Sequence, residues 1–452
     1  MSEPELNSRR QRPEGVVDPP PDPATLQPPP LASAWDILEL VAKELAAAGV
    51  AGESRAVKVL YLALTSRLLE RPCSIVVKGP SAGGKSFVVE QVLALFPPDA
   101  YYALSAMSER ALAYDREPLA HRMLVIYEAA GVSGETGTYL MRSLLSEGRI
   151  NYVTVIKGKS GFEPKRILRE GPTGLITTTT AVALHPENET RLLSLTVTDS
   201  PAQTRAIMLA HALGSRAERD VSSWHEFQTW IAVSRLDAVV PYAATLAAAI
   251  PPVTVRLRRD FATLITLLRA HALLHQLRRD RDDDGRVVAN FDDYAAVRDL
   301  VGEVLADAAE HVVPATVREA VAAVRGQVNE HDPFEDGVSV VRVAVELGLD
   351  KSSAWRRVRT AIGRGYLKNL EDRRGRPARL VVGDPLPTDS TLLPTCAELE
   401  RLHGCSGDEG DGIPIEQDYP RSAWDPHAGE DDPQLESWTA GRVPLTGVRG
   451  WS

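Results

Sequence analysis

Three stretches of this chain predict an α/β fold: a parallel sheet with helices on both faces, followed by an α-helical lid and a C-terminal winged helix-turn-helix. In the first, the apolar run Ile75–Val77 leads into Gly79-x-x-x-x-Gly84-Lys85-Ser86, and the apolar-periodic segment Phe87–Leu95 follows at once, which is the strand, loop and helix order of a P-loop. In the second, short apolar runs alternate with helical segments as far as Val197, as parallel strands joined by crossover helices require. In the third, Val338–Gly383 reads as helix, turn, basic helix and hairpin.

Composition sets the limits. A chain of 452 residues with 44% apolar residues has material for two or three domains with real cores. No stretch approaches the roughly 18 apolar residues that a bilayer crossing needs, and the proline-rich start is unlike a signal peptide, so no membrane partner and a cytoplasmic location are expected. Cys73, Cys396 and Cys405 form no Cys-x-x-Cys pair, which argues against a disulfide framework or structural zinc. The formal charge of −10 is carried by the tail: Asp384–Ser452 holds 14 acids and 4 bases, leaving the rest balanced.

In chain order, residues 1–30 contain nine prolines and little periodicity and are expected to be disordered. Helices are expected at Trp35–Ala48 and Val57–Leu69, where apolar residues recur at helical spacing. After Pro97-Pro98 come a strand at Tyr101–Leu104, a short helix at Ser105–Tyr114 and a buried strand at Met123–Tyr127 that ends at Glu128. Thr138–Glu147 is helical, and Ile150–Ile156 and Arg166–Arg169 flank Lys157–Gly161 as a hairpin with a basic tip. Strands at Gly174–Thr180 and Leu192–Val197 complete the α/β part, spanning 31–200 with its leading helices. Residues 201–330 read as an α-helical lid, 331–383 as the winged helix-turn-helix and 384–452 as an acidic disordered tail.

The loop dictates its own chemistry. Gly79, Pro80, Ser81, Ala82, Gly83 and Gly84 would turn backbone N–H groups onto phosphate oxygens, Lys85 would reach the β- and γ-phosphates, and Ser86 would hold Mg²⁺, so ATP with Mg²⁺ is the expected cofactor. Hydrolysis also needs a group for water and metal, and Glu128, about forty residues beyond the loop at a strand end, is the candidate. P-loop enzymes usually place an Asp just before that Glu, and here the position is Tyr127. Either Glu128 serves the metal while another group orients water, or it does both less well, or the ATPase is slow. Thr179, among the threonines Thr177–Thr180, could set a hydroxyl near the γ-phosphate, although threonine also simply suits a strand end. Arg191, just before the next strand, stands where a finger reaching a neighbour's γ-phosphate would sit, with a solvated arginine as the competing reading.

The order of these features resembles the AAA+ ATPases of the branch that carries a β-hairpin before the sensor strand, including the minichromosome-maintenance and superfamily-three viral helicases. The likeness spans about residues 74–310. It rests on Gly79–Ser86, Leu124–Glu128, the helix and hairpin within Leu144–Arg166, Leu175–Thr180, and Glu189-Thr190-Arg191-Leu192-Leu193. Arg259–Ala272 is similar to the lid helix whose first arginine is a second γ-phosphate sensor, which implies that role for Arg259, with Arg256 and Arg258 as neighbours able to substitute. The Gly-Pro-Ser-x-Gly-Gly-Lys-Ser loop and the Tyr-Glu strand end also resemble helicase-like ATPases of phages and integrated elements. The resemblance implies a hexameric ring whose hairpins point into a central channel and grip nucleic acid through Lys157 and Lys159, aided by Lys165 and Arg166. It also admits a primase or another replication protein as a further partner.

Charge points to DNA independently. Ser339–Gly383 carries eleven Lys/Arg against four Asp/Glu, with Arg356, Arg357 and Arg359 on the second helix and Arg373, Arg374, Arg376 and Arg379 on the wing. Winged helices also mediate protein contacts. Two functions are therefore expected: an ATP-driven DNA translocase or helicase of a phage or mobile element, or an ATP-controlled DNA-binding switch, such as a loader, initiator or transcriptional regulator, with slow turnover. The basic hairpin favours the first and Tyr127 the second.

Overall fold

The computed structural model describes residues 27–405 except 106, 109–110, 128–134, 159–160, 181–188, 198–199, 213–218, 235–236, 253, 312, 328–336, 372, 374–375 and 387–391. The central strands are β1 (Ile75–Lys78), β2 (Tyr101–Leu104), β3 (Arg122–Ile126), β6 (Thr173–Thr179) and β7 (Leu193–Thr196). They lie in the order β2-β3-β6-β1-β7, every pair parallel. Their continuous apolar runs have a direct cause, since alternate residues feed two different cores. Ile75, Val77, Met123, Val125 and Ile176 enter a large core on one face, while Val76, Leu124, Ile126 and Leu175 enter a smaller one on the other.

The large core is filled by the leading helices α1 (Ile37–Ala47) and α2 (Ser54–Thr65), by α3 (Lys85–Leu93), and by lid helices. The smaller core takes in α4 (Ala111–Tyr114) and α5 (Glu135–Glu147) together with the base of the β4 (Ile150–Gly158) and β5 (Gly161–Arg169) hairpin. α4 is shorter than the expected Ser105–Tyr114 helix among the described residues. The hairpin is longer than its sequence implied, because pairing runs from Ile150↔Arg169 out to Gly158↔Gly161. Gly161–Lys165 joins β5 although it has no apolar alternation, and Pro164 is accommodated because this ribbon has only two strands.

The lid contains α6 (Pro201–Ala212), α7 (Ser222–Val233), α8 (Ala243–Ala249), α9 (Leu257–Leu274) and α10 (Phe291–His311). Two short parallel strands, β8 (Ala238–Val239) and β9 (Val287–Val288), interrupt the expected all-helical stretch. The lid's apolar face is continuous with the large core of the sheet. A buried polar knot ties α9 to α10: His271 Nδ1 lies 2.6 Å from Asp293 Oδ1, and Arg279 donates through Nε (2.8 Å) and Nη2 (2.9 Å) to the same carboxylate. Burial alone would raise the Asp293 carboxyl, but the hydrogen bonds and charges of His271 and Arg279 hold it below the usual range. Neighbouring His275 is pushed down to about 3, by burial first and then by the charges of His271, Arg279 and Arg278 against Asp293.

A separate core follows. α11 (Ala315–Arg325), expected with the lid, instead packs Val317, Val321 and Val324 against α12 (Val340–Glu346), α13 (Lys351–Gly363), β10 (Leu367–Asn369) and β11 (Leu380–Val382). Asp350 caps α13, its Oδ1 accepting from Ser352 N (2.9 Å) and Ser353 N (3.0 Å). Val338 bridges Leu380, so the chain enters and leaves the helix pair beside the two-stranded hairpin.

The acidic segment from 384, expected to be disordered throughout, is ordered at its start. Leu386 belongs to the small C-terminal core, whereas Leu392, Leu393 and Leu399 are buried in the large one. Tyr294 Oη (2.7 Å) and Arg298 Nε (2.8 Å) on α10 both donate to the Pro394 carbonyl, and the chain continues into α14 (Cys396–Cys405). These leucines were hidden from sequence reading because they lie among prolines and acids with no periodic pattern. The chain divides into one unit up to Arg401 and a second from Leu402 to Ser452, of which only Leu402–Cys405 is described, as the end of α14. The proline-rich leader lies outside the described residues up to position 26. No described helix is long and apolar enough to cross a membrane.

Candidate nucleotide site and nucleic-acid surfaces

β1 delivers the chain to the C-terminal edge of the sheet, where Gly79–Ser86 turns back into α3. Two residues of the turn have left-handed backbone, Ala82 (φ 63°) and Gly84 (φ 76°), and Gly83 N donates to Pro80 O at 3.1 Å. Ala82 is the notable one, because a side chain in that region costs energy and such residues cluster at binding sites. A methyl at Gly79 would come within 2.7 Å of Val197 Cγ2, so the approach of the segment after β7 excludes any larger residue there. The first hydrogen bond of α3 is Val88 N to Gly84 O, and no side chain caps the helix. Its first N–H groups therefore face outward beside the loop, a concavity suited to phosphate. Lys85 is only 8% exposed, and its Nζ donates to Gly79 O (3.0 Å) and Pro80 O (2.6 Å), which holds the ammonium over the loop. Ser86 is the next residue of that first helical turn.

Thr179 ends β6 level with Lys78, the residue before Gly79, and so brings a threonine to the mouth of the loop. Thr177 is committed elsewhere, donating to Ile126 O at 2.9 Å. Glu128 lies outside the described residues. Tyr127 is half-buried against the large core, and burial, followed by the nearby Glu90 charge, pushes its phenol up to about 12. It is thus a neutral group at the position where a metal-holding Asp was expected. Among the described residues no group of three or more His, Cys, Asp or Glu could hold a metal.

Arg191 and Arg259 come together away from the P-loop. Leu193 is level with Ile75, so Arg191 precedes the N-terminal edge of the sheet while the P-loop follows its C-terminal edge. β1 alone separates those edges by about 13 Å. Arg191 Nε donates to Ser146 Oγ (2.9 Å) near the end of α5, and Arg259 Nη1 donates to Thr190 Oγ1 (3.1 Å). Arg256 pairs with Asp260 at 3.2 Å and reaches Leu192 O at 3.4 Å, so it braces this corner rather than replacing Arg259. A pair missed in the sequence links the two edges: Lys78 is ion-paired with Glu189. Its only sequence signal was a charge at the end of an otherwise apolar strand.

Of the residues assigned to nucleic acid, Lys157, Lys165 and Arg166 are exposed on the hairpin, whereas Lys159 lies outside the described residues. Arg356 and Arg359 point outward from α13, and Arg373 and Arg376 are exposed between β10 and β11, with Arg374 outside the described residues. Arg357 departs from expectation. It is one helical step round from its neighbours, is less exposed than they are and forms an ion pair with Glu319 of α11, which ties it to that helix.

No family model and no curated protein matches the chain. Among solved structures it is similar to a full-length MCM homolog from Methanopyrus kandleri, with 13% identity and a TM-score of 0.40, covering 64% of this chain and 62% of that one. The chain thus spans less than two thirds of that protein. It is also similar to ORC1 from Aeropyrum pernix in complex with DNA (13%, TM-score 0.25, covering 79% and 93%) and to NtrX from Brucella abortus in complex with ATP (15%, TM-score 0.23, covering 66% and 67%). At these identities and scores, the fold is carried by the sheet order and the phosphate loop themselves. A parallel sheet flanked by helices, with a P-loop after its first strand, is consistent with the fold of the AAA+ ATPases.

Proposed function

We propose that this chain is a DNA-associated ATPase of the AAA+ type that works as a ring, with each active site shared between neighbouring subunits. The observation that carries the reading is the placement of Arg191 and Arg259 at the edge of the sheet opposite the P-loop. Neither arginine serves its own loop from there, and a neighbour's arginines would complete the charge around the γ-phosphate. Gly79–Ser86 cradles ATP, Lys85 neutralises its terminal phosphates, Ser86 holds Mg²⁺, and Thr179 and Glu128 act on the attacking water. The β4–β5 hairpin and the basic winged helix contact DNA, the first from within the ring and the second from its side. A place in phage or mobile-element replication is suggested by the resemblance of the loop sequence, and the number of subunits by the hexameric rings of the branch it resembles.

The test is subunit mixing. Lys85→Ala and Arg191→Ala chains should each be inactive as ATPases alone, yet regain activity when mixed, because some interfaces then combine an intact loop with an intact finger. Failure of mixing to restore hydrolysis, with both variants folded and assembling, would sink the shared site. A second reading, an ATP-controlled DNA-binding switch, draws support from Tyr127, whose half-buried neutral phenol offers no negative charge to a metal. Strand displacement measured beside ATP turnover separates the two: a motor shows both, a switch only slow turnover.

A further inference from the structure

The outer part of the β4–β5 hairpin carries a feature that backbone gripping by lysines leaves unused. In an antiparallel pair, residues opposite one another present their side chains on the same face. From tip to base, one face therefore carries Lys157 with Phe162, Val155 with Pro164, Val153 with Arg166, and Asn151 with Leu168. The 3.0 Å bond from Arg166 Nε to Asn151 Oδ1 fits that assignment. Among the described residues nothing covers this face: Phe162 is 79% exposed, Val155 63% and Val153 61%. Such a contiguous apolar strip, with an aromatic ring at its outer end, marks an interaction surface.

Charge selects the partner. The hairpin from Ile150 to Arg169 holds five basic residues and one acid. On the apolar face itself Lys157 and Arg166 stand at two levels, about 14 Å apart along the ribbon. Cations spaced along a strip with an exposed aromatic ring match a backbone whose bases are unpaired, because stacking on a ring requires a free base face. A duplex offers its phosphates but keeps its base faces stacked.

We infer that this face of the hairpin is a single-strand binding surface on which Phe162 stacks against an unpaired base while Lys157 and Arg166 hold the flanking phosphates. The inference rests on the hairpin contacting nucleic acid, as proposed above, and adds the face that meets the bases and the residue that contacts them.

Fluorescence anisotropy of the full chain on three probes tests it: labelled oligothymidylate, an abasic oligonucleotide of equal length, and a blunt duplex. The wild-type chain should favour oligothymidylate over the abasic strand. Phe162→Ala should weaken oligothymidylate binding roughly tenfold, within the range for loss of one stacked base, and leave the abasic strand and duplex unchanged. Phe162→Trp should restore it, and Phe162→Leu, apolar but without a ring face, should not. The inference is overturned if Phe162→Ala binds oligothymidylate as the wild type does, if Phe162→Leu restores binding fully, or if Phe162→Ala instead loses self-association, which would place a second copy on this face. Lys157→Ala and Arg166→Ala separate the two levels of failure. If they weaken single-strand binding while Phe162→Ala does not, only the stacking role falls. If all three bind as wild type, the hairpin does not contact nucleic acid at all.

Discussion

The β4–β5 hairpin and helix α13 are both basic and both exposed, yet they are built in opposite ways. The outer hairpin is a two-stranded ribbon that no other described residue covers, so its shape is held by its own ladder and its apolar side chains are exposed. α13 buries Ala354, Val358 and Ala361, is capped by Asp350, and has its inner arginine tied to Glu319. A packed helix fixes the geometry of its donors, which suits the regular phosphate spacing of a duplex. A free ribbon offers a face rather than a fixed lattice, which suits a strand that must adapt to it. The difference predicts division of labour: duplex binding at the C-terminal module, single-strand binding at the hairpin.

The strongest way to break this division is to unfold one side of it. Tyr366 is fully buried in the C-terminal core, and Tyr366→Ala should remove about 3–5 kcal/mol from that module. Duplex binding should vanish while oligothymidylate and ATP binding persist, as titrations beside limited proteolysis would register. Loss of all three together would mean that the regions do not act separately. Next comes Lys85→Ala, which removes the ammonium held over the phosphate loop and should weaken ATP binding by about a hundredfold, or about 2.7 kcal/mol. DNA-stimulated hydrolysis should disappear with it, and duplex affinity in the absence of nucleotide should not move.

Acid should separate the two regions as well. Folded His275, at about 3, takes up its proton far below the ordinary 6.5, so between those values the unfolded chain binds a proton that the folded chain refuses. The stability this contributes is complete above pH 6.5 and falls as pH drops, by roughly 2 kcal/mol between pH 6.5 and 5. Thermal melts should show the large core losing stability over that range while the C-terminal core holds, and His275→Gln should flatten the dependence. The smallest effects distinguish neighbours on α13. Arg359→Ala should lower duplex affinity a few-fold and reduce the salt slope by about 0.9, whereas Arg357→Ala should leave the slope alone and cost at most about 1 kcal/mol of stability.

What the sequence made legible was whatever depends on local pattern. The P-loop and the strands at 75–78 and 122–126 were readable because a strand buried on both faces is a continuous apolar run. What stayed hidden depends on distant partners. Gly161–Lys165 has no apolar alternation to announce a strand, because both faces of the ribbon are exposed there. α11 resembles the lid helices in composition, and only its contacts assign it to the C-terminal core. Arg357 and Arg359 are indistinguishable in sequence, and Glu319, 38 residues before Arg357 on α11, sets them apart. The opposition of Arg191 to the P-loop follows from parallel register, which a linear reading does not supply.

The docking of Leu392 and Leu393 on the large core makes the C-terminal module a captive loop rather than a pendant arm. It enters from α10 at Val313 and returns after Leu386, and the six residues from there to Leu392 can extend no more than about 21 Å. A pendant domain searches a sphere; one leashed at both ends can only tilt. Two leashes shorten the module's reach, and removal of the chain beyond residue 384 should widen it.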